Sequence, residues 1–287
     1  MECKNRKGEI IKINTSQSGI LSFFYNTAVG RCVLKPLVQP WVSKLGGKVL
    51  STRLSSLAVP SFIKNNGIDM TEYEDRRYLS YNDFFTRRIK KDARLIDMTP
   101  NHLIAPCDSK LTVYGIKEDS RFFVKNTEYS LNDLLKDEQL AKRYSGGVLL
   151  LFRLSVDDYH HYCFIDNGIQ SEPVRLKGVF HTVNPLANDV YPIYRENTRE
   201  YNLLESEHFG TVLMMEVGAL MVGKIRNTNR DAKIERGVEK GYFEFGGSTV
   251  ILCLERDIVI VDDDIWQNSL DGIETAVNQG ERIGKAV

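Results

Sequence analysis

A hydroxyl residue follows two glycines near the end of the chain, directly before an apolar run. The segment is Gly246-Gly247-Ser248-Thr249, and the β-branched and apolar residues of 250–254 after it predict a buried strand. Glycine lets another group approach a peptide carbonyl closely, so the Ser248 hydroxyl could attack an acyl group, including the carbonyl that precedes it. The same residue types are also typical of a simple turn or bulge.

A serine nucleophile needs a base that takes its proton and a carboxylate that orients the base. The five histidines of the chain are His102, His160, His161, His181 and His208. His160 comes shortly after the apolar run 148–154, which predicts a buried strand, and is therefore a candidate base. For each histidine, an ordinary hydrogen-bonded structural role is the alternative. From the residues alone, Asp108 is one of many turn aspartates.

Other kinds of chemistry have less support in the sequence. His160, His161 and Cys163 lie close together, but no second cluster supplies further metal ligands, so we predict no metal site. The chain has no Gly-x-Gly-x-x-Gly loop and no phosphate-binding loop, and we predict no nucleic-acid partner. Its five cysteines are odd in number and lack Cys-x-x-Cys spacing, which argues against a disulfide framework.

Charge is unevenly distributed, although the 38 basic side chains balance the 38 acidic ones. Residues 1–50 contain 8 basic and 2 acidic side chains. A basic region with apolar residues beside it is attracted to anionic lipid, although a merely solvated basic face fits the same composition. No stretch reaches the ~18 apolar residues of a membrane span, and residues 1–13 lack a signal-peptide core. We expect a peripheral protein on the cytoplasmic side of the cell membrane.

Apolar residues recur at helical spacing in the first fifth of the chain. The stripe consists of Leu34, Leu37, Val38, Trp41, Val42 and Leu45. Pro36 and Pro40 interrupt it, which predicts a kinked or broken helix. Such a helix either packs on the core of the protein or lies in a membrane interface with Trp41 near the headgroups.

The pattern of apolar residues changes from helical to strand-like after residue 100. Residues 73–97 mix charges and aromatics without strand alternation, which indicates short helices. Short β-type runs follow at 111–114, 148–154, 212–217, 250–254 and 258–261, separated by Gly, Asn and Asp. We predict an α+β fold, with a helical, membrane-associated N-terminal part at residues 1–100 and a β-rich catalytic domain at residues 101–287.

Several motifs occur in a fixed order along nearly the whole chain. They span residues 24–31, 81–90, 105–110, 153–161, 182–185, 217–225 and 240–249. Together they resemble the phosphatidylserine decarboxylase family. Phe84-Phe85-Thr86-Arg87-Arg88 lies in the second motif, which is a hallmark of that family, and Ser248 lies in the last.

The resemblance implies a self-processing enzyme. Ser248 would attack the carbonyl of Gly247, the resulting ester would break by β-elimination, and residue 248 would become a pyruvoyl group. The products would be a β subunit of residues 1–247 and an α subunit of residues 248–287, which stay together as a heterodimer or form a higher oligomer. The pyruvoyl cofactor would form a Schiff base with phosphatidylserine in anionic membranes and act as an electron sink, yielding phosphatidylethanolamine and CO2.

The resemblance also assigns roles and exposes a departure. It makes Asp108 the carboxylate that orients the base, and it places His160 in the segment that leads into the active site. Many family members have a second histidine where this chain has Cys163. That position is often given the base role in self-cleavage, so His160 or His181 is predicted to take it here. His160 is also predicted to protonate the α-carbon after CO2 leaves.

Two further functions are alternatives to the self-processing decarboxylase. One is a conventional Ser-His-Asp hydrolase that uses Ser248 without cleavage, although Ser248 precedes a strand and the chain lacks a Gly-x-Ser-x-Gly elbow. The other is a non-catalytic membrane-binding protein, which the cysteine at position 163 keeps under consideration.

Overall fold

The structure, a computed structural model, describes residues 2–11, 18–124, 127–219, 224–244 and 248–287. The helices are α1 (Ser18–Asn26), α2 (Ala28–Leu37), α3 (Pro40–Leu50), α4 (Val59–Asn66), α5 (Tyr81–Phe85), α6 (Leu131–Leu135), α7 (Glu138–Arg143), α8 (Pro185–Asn188), α9 (Ile193–Glu196) and α10 (Asp263–Leu270), with 3₁₀ helices at Arg53–Ala58 and Met70–Glu72. The strands are β1 (Cys3–Lys4), β2 (Ile10–Ile11), β3 (His102–Ile104), β4 (Ser109–Gly115), β5 (Arg121–Val124), β6 (Thr127–Ser130), β7 (Val148–Leu154), β8 (His161–Cys163), β9 (Gly168–Gln170), β10 (Val174–Leu176), β11 (Arg199–Ser206), β12 (Gly210–Val217), β13 (Ile225–Asn227), β14 (Lys233–Ile234), β15 (Glu239–Phe243), β16 (Ser248–Leu254), β17 (Val259–Val261), β18 (Glu274–Val277) and β19 (Arg282–Ala286).

One large sheet organises the molecule. Within the described residues, ten strands follow the order β14-β9-β11-β12-β16-β7-β4-β18-β1-β2, and β10 adds to β11. Neighbours are antiparallel except for β1, which runs parallel to β18. Smaller sheets have the orders β13-β15-β8 and β17-β19-β3, and β5 pairs with β6. Mixed helices and sheets confirm the predicted α+β class.

The central strand β16 is buried on both faces. It lies between β12 and β7, and all seven of its residues are buried. Because side chains alternate along a strand, Val250 and Leu252 join one hydrophobic cluster, while Ile251 and Cys253 join the cluster on the other face. A strand covered on both sides has no polar face, which explains the continuous apolar run in the sequence.

The N-terminal helices break where the prolines predicted. α2 ends at Leu37 and α3 begins at Pro40, whose missing N–H costs nothing in the first turn of a helix. Tyr25 of α1 and Leu34 of α2 are buried against the second of the two sheet clusters. Beyond them, a separate aromatic cluster forms around Phe84 and Phe85 of α5. No helix among the described residues is long and apolar enough to cross a membrane.

The first residues of the chain belong to the sheet rather than to the helical part. Cys3–Lys4 pair with β18, and Arg6 forms ion pairs with Asp262 and Asp264. The helices expected within 73–97 reduce to α5, because residues 86–101 contain no helix. The domain boundary at residue 100 stays a prediction, but its N-terminal side contributes two strands to the catalytic sheet.

Candidate active site

Ser248 is the first residue of the central strand. Its backbone pairs with Leu154 at the end of β7, and the residue is completely buried. Its Oγ atom has no hydrogen-bond partner among the described residues. Gly247, the other residue of the predicted cleavage site, lies outside them. An unpaired buried hydroxyl costs about 1–3 kcal/mol, which is a reason to look for a chemical role.

His160 presents one free nitrogen in a dry environment. Its Nδ1 donates to the backbone carbonyl of Asp158 at 2.8 Å, so Nε2 carries the lone pair. No described residue bonds Nε2, and the side chain is completely buried against the ring of Phe85 at 4.1 Å. Burial, followed by the positive charge of Arg87, lowers the pKa of His160 well below its usual range. The imidazole is therefore neutral at pH 7 and can accept a proton.

Ser248 and His160 both lie next to short connections between the same two pairs of strands. β16 pairs with β7 in the large sheet, and β15 pairs with β8 in a smaller one. Residues 155–160 connect β7 to β8, and residues 244–247 connect β15 to β16. Each connection therefore runs between the β16–β7 pair and the β15–β8 pair of strands. The backbone N–H of Phe243 donates to the carbonyl of His160 at 3.0 Å, which extends the β15–β8 ladder to His160.

His161 has no nitrogen available for catalysis. Its Nδ1 lies 2.9 Å from Glu239 Oε2, and its Nε2 lies 3.3 Å from the carbonyl of Thr86. The ring is stacked between Tyr159 and Tyr242, with centroids 4.7 and 5.0 Å away. These contacts give His161 a structural role.

His181 lies at the junction between the N-terminal helices and the sheet. Its Nδ1 is 3.3 Å from the hydroxyl of Tyr25 in α1, and its ring stacks on Tyr191 at 4.6 Å. Burial lowers the pKa of His181 to about 4. Among the described residues no hydrogen bond joins Ser248 Oγ to His181, and none joins it to His160, so hydrogen bonding does not choose between the two histidines.

Asp108 is paired with an arginine rather than with a histidine. Its carboxylate accepts three hydrogen bonds from Arg94 at 2.6–3.0 Å and one from the backbone N–H of Gln279 at 2.8 Å. The acceptor for His160 is instead the Asp158 carbonyl. The orienting role of Asp108 stays a prediction, and the observed contacts give it a second function, that of holding residue 279.

The segment that carries His160 is anchored by a buried ion pair. Lys110 Nζ donates to both oxygens of Asp158 at 2.6 and 2.7 Å, and the Ser155 N–H donates to the same carboxylate at 2.6 Å. Burial raises the pKa of Asp158 to about 6. Asp158 and Asp108 both line a cavity of about 220 Å³. Asp158 therefore has two roles: its side chain anchors the segment, and its backbone carbonyl holds the His160 ring.

Cys163 is unsuited to replace a histidine base. The residue is completely buried, and burial raises the pKa of its thiol to about 12. A thiol that is protonated at pH 7 has no lone pair comparable with that of a neutral imidazole.

The sequence alone does not indicate the contacts that Arg87 and Arg94 make in the candidate site. Arg87 is completely buried. The motif that contains it was recognised from the sequence. Its contact with the 155–160 segment depends on tertiary structure and has no local sequence signal.

Comparison with known proteins identifies the family of this chain. A family model described as phosphatidylserine decarboxylase matches residues 81–285. Phosphatidylserine decarboxylase proenzyme 2 of Clostridium acetobutylicum is 43% identical over 270 residues, which cover 94% of this chain and 92% of that protein. Phosphatidylserine decarboxylase proenzymes of Clostridium novyi and Fusobacterium nucleatum are 41% and 37% identical, each over 98% of this chain and 97% and 96% of their own lengths.

The protein is an enzyme of the carboxy-lyase class. More specifically, it belongs to the phosphatidylserine decarboxylase family, whose similar members are proenzymes.

Proposed function

We propose that this chain cuts itself between Gly247 and Ser248 and then decarboxylates phosphatidylserine with a pyruvoyl group made from Ser248. The proposal rests on two buried atoms, Ser248 Oγ and His160 Nε2, which no described residue bonds. Both residues lie next to the connections between the β16–β7 pair and the β15–β8 pair of strands. One can lose a proton and the other can accept it.

Self-cleavage follows from these two groups. His160 Nε2 takes the hydroxyl proton while Ser248 Oγ attacks the Gly247 carbonyl carbon; the peptide C–N bond then breaks and its nitrogen takes a proton, leaving an ester. Loss of a proton from the Cα of residue 248 expels the Gly247 carboxylate. Water then hydrolyses the enamine that is left and releases ammonia. Residue 248 thereby becomes pyruvoyl at the start of the smaller fragment.

The completely buried position of Ser248 suits a pyruvoyl group, because a reactive ketone there is shielded from water. Such a group supplies an electron sink for the pair released when CO2 leaves an amino acid. His160 then has a second task, which is to return a proton from Nε2 to the α-carbon. The Asp158 carbonyl serves both tasks, since it holds the ring through Nδ1 and leaves Nε2 free.

The two fragments are expected to stay together after the cut. Strand β16 keeps β12 and β7 on its two sides, and β18 pairs with both β4 and β1. Arg153 and Glu274, one in each fragment, form two buried hydrogen bonds of 2.7 and 2.6 Å. Asp108 and Gln279 add another link. We propose a heterodimer of β (1–247) and α (248–287), and its further oligomerisation is open.

Intact-mass measurement tests the cut directly. A sample from one native size-exclusion peak should separate under denaturing conditions into fragments of residues 1–247 and 248–287. The smaller fragment should resist Edman degradation until its ketone is modified, because pyruvoyl has no free amine. A fully active preparation that consists only of the intact chain would contradict the proposal.

Attachment to the membrane is proposed for the surface of α3 and the following 3₁₀ helix. Trp41, Leu54 and Leu57 are 62%, 79% and 79% exposed, and Lys44 and Lys48 are exposed beside them. Apolar side chains can enter the lipid interface while lysines meet anionic headgroups. This surface supports a peripheral membrane protein, and we propose the cytoplasmic face of the cell membrane as its location.

Binding to vesicles should depend on anionic lipid and fall as salt rises, because salt screens exposed charges. Lys44→Glu with Lys48→Glu should weaken binding by at least about tenfold, at roughly 1 kcal/mol per basic residue. Sedimentation with phosphatidylcholine vesicles, with and without phosphatidylglycerol, measures this.

The matched control is Lys142→Glu with Lys233→Glu, which makes the same charge change at exposed positions elsewhere. Removal of residues 1–50 is a poorer test, because Cys3 and Tyr25 are buried in the core. Equal loss of binding in both double variants would argue against a specific N-terminal surface.

A further inference from the structure

Arg87 is a buried cation without an acidic partner. It follows α5, is completely buried, and has no carboxylate within ion-pair distance among the described residues. Its guanidinium carbon lies 4.4 Å from the ring centre of Tyr73 and 4.8 Å from that of Phe84. Arginine is rarely buried unless it is paired, so its retention here calls for a function.

Arg87 donates one hydrogen bond to the Tyr73 hydroxyl at 3.2 Å and two to the segment that carries His160. Its Nη2 donates to the backbone carbonyl of Asp157 at 2.9 Å and to that of Asp158 at 3.3 Å. The Asp158 carbonyl is also the acceptor for His160 Nδ1 at 2.8 Å. Arg87 and His160 thus share one oxygen atom, and a displacement of that oxygen would release the imidazole from its fixed orientation.

We propose that Arg87 is a positioning residue, which fixes the Asp157–Asp158 backbone and thereby holds His160 in the Nδ1–H tautomer with Nε2 free. The inference rests on the proposed role of His160 in self-cleavage. It extends that role, because it gives the second arginine-containing motif of the chain a task in the chemistry of a histidine about seventy residues later.

A second consequence is electrostatic. A positive charge near an imidazole disfavours its protonated form, and Arg87 is the largest charge effect on the pKa of His160 after burial. His161 in β8 and Lys110 in β4 lower that pKa further, while the Asp158 carbonyl raises it. Cleavage needs neutral His160, so its rate falls as pH drops through the pKa. Removing the Arg87 charge raises the pKa of His160. The acidic limb of the pH profile, which is the pH range where cleavage slows on acidification, therefore moves to higher pH.

The first measurement uses the uncut Ser248→Ala chain labelled with ¹⁵N-histidine. Two-bond proton–nitrogen spectra report the tautomer and titration of His160, which is assigned by comparison with His160→Gln. Arg87→Met should give a mixture of tautomers and a titration shifted to higher pH. Arg87→Lys keeps the charge but loses the paired carbonyl contacts, so it should give a mixed tautomer with a smaller shift.

The second measurement follows self-cleavage in chains that retain Ser248. Arg87→Met should cut at least about tenfold more slowly, since small misplacements of a catalytic group are costly. Its acidic limb should move upward in pH. The nearby Asp158 has a pKa of about 6, which is shifted by burial and by the charges of Lys110 and Asp157 rather than of Arg87, so the comparison between Arg87 variants is directed at His160. The control is Lys91→Met at an exposed position close to Arg87 in the sequence. This variant also removes one positive charge and should cut at the wild-type rate.

An unchanged tautomer and titration of His160 in Arg87→Met and Arg87→Lys would overturn the inference. If Arg87→Met does not fold, as judged by circular dichroism, Arg87→Lys decides the question alone. Failure of the proposed function gives a different result, because an uncut wild-type chain would leave the spectroscopic effect of Arg87 in the Ser248→Ala chain intact.

Discussion

Ser248→Ala is expected to leave a single uncut chain of 287 residues with no decarboxylase activity. Alanine has no oxygen to attack the Gly247 carbonyl, so no ester forms and no ketone arises. The fold should survive, because Ser248 Oγ makes no hydrogen bond among the described residues that the substitution would remove. Denaturing mass spectrometry reports the cut, and release of CO2 from carboxyl-labelled phosphatidylserine reports the activity.

Thr249→Val is the matched control for this experiment. Thr249 is also buried, and its hydroxyl has no partner in the described parts of the chain, but its backbone is paired with Arg153 and Val217 and its side chain faces the opposite side of β16 from Ser248. Valine keeps its shape, so this chain should still cut. Cleavage of Ser248→Ala at position 247, or decarboxylation by the uncut chain, would show that the Ser248 hydroxyl is not the nucleophile.

The sequence predicts the centre of the fold better than its edges. The apolar run 250–254 has one structural solution, a strand covered on both faces, and β16 contains it. Pro36 and Pro40 likewise predict the break between α2 and α3, because the stereochemistry of proline is a local property. Strand β1 has only two residues and depends on β18 near the other end of the chain. A pairing of that kind leaves no periodicity for sequence analysis to detect.

The candidate site divides in the same way. Ser248 and His160 lie in motifs whose residue types indicate their chemistry, and both are buried with a polar atom that no described residue bonds. The partners of these residues are decided by tertiary contacts. The backbone carbonyl of Asp158, rather than a carboxylate, orients His160, and Arg94 occupies the Asp108 carboxylate. A backbone acceptor has no side-chain identity, so no sequence motif could have named it.

His160→Ala is expected to slow self-cleavage by about 10²–10⁴-fold, the usual contribution of a general base. Any molecules that do cut should still be poor decarboxylases, because the α-carbon has lost its proton donor. His160→Gln fills the space beside Phe85 without providing a basic nitrogen, and it should behave like alanine. Cleavage is followed by mass after refolding or fresh synthesis, and decarboxylation is normalised to the fraction cut.

His181→Ala and Cys163→Ser distinguish His160 from the other candidates. If His181 had the base role, its removal would slow the cut while decarboxylation by cut molecules stayed normal. Its contacts with Tyr25 and Tyr191 instead predict a loss of stability with a nearly normal cleavage rate in the folded fraction. Cys163→Ser should change cleavage little, because burial keeps the thiol protonated. Normal cleavage in both histidine variants, with loss only in Cys163→Ser, would make the cysteine the functional replacement, and the assignment of His160 would then be wrong.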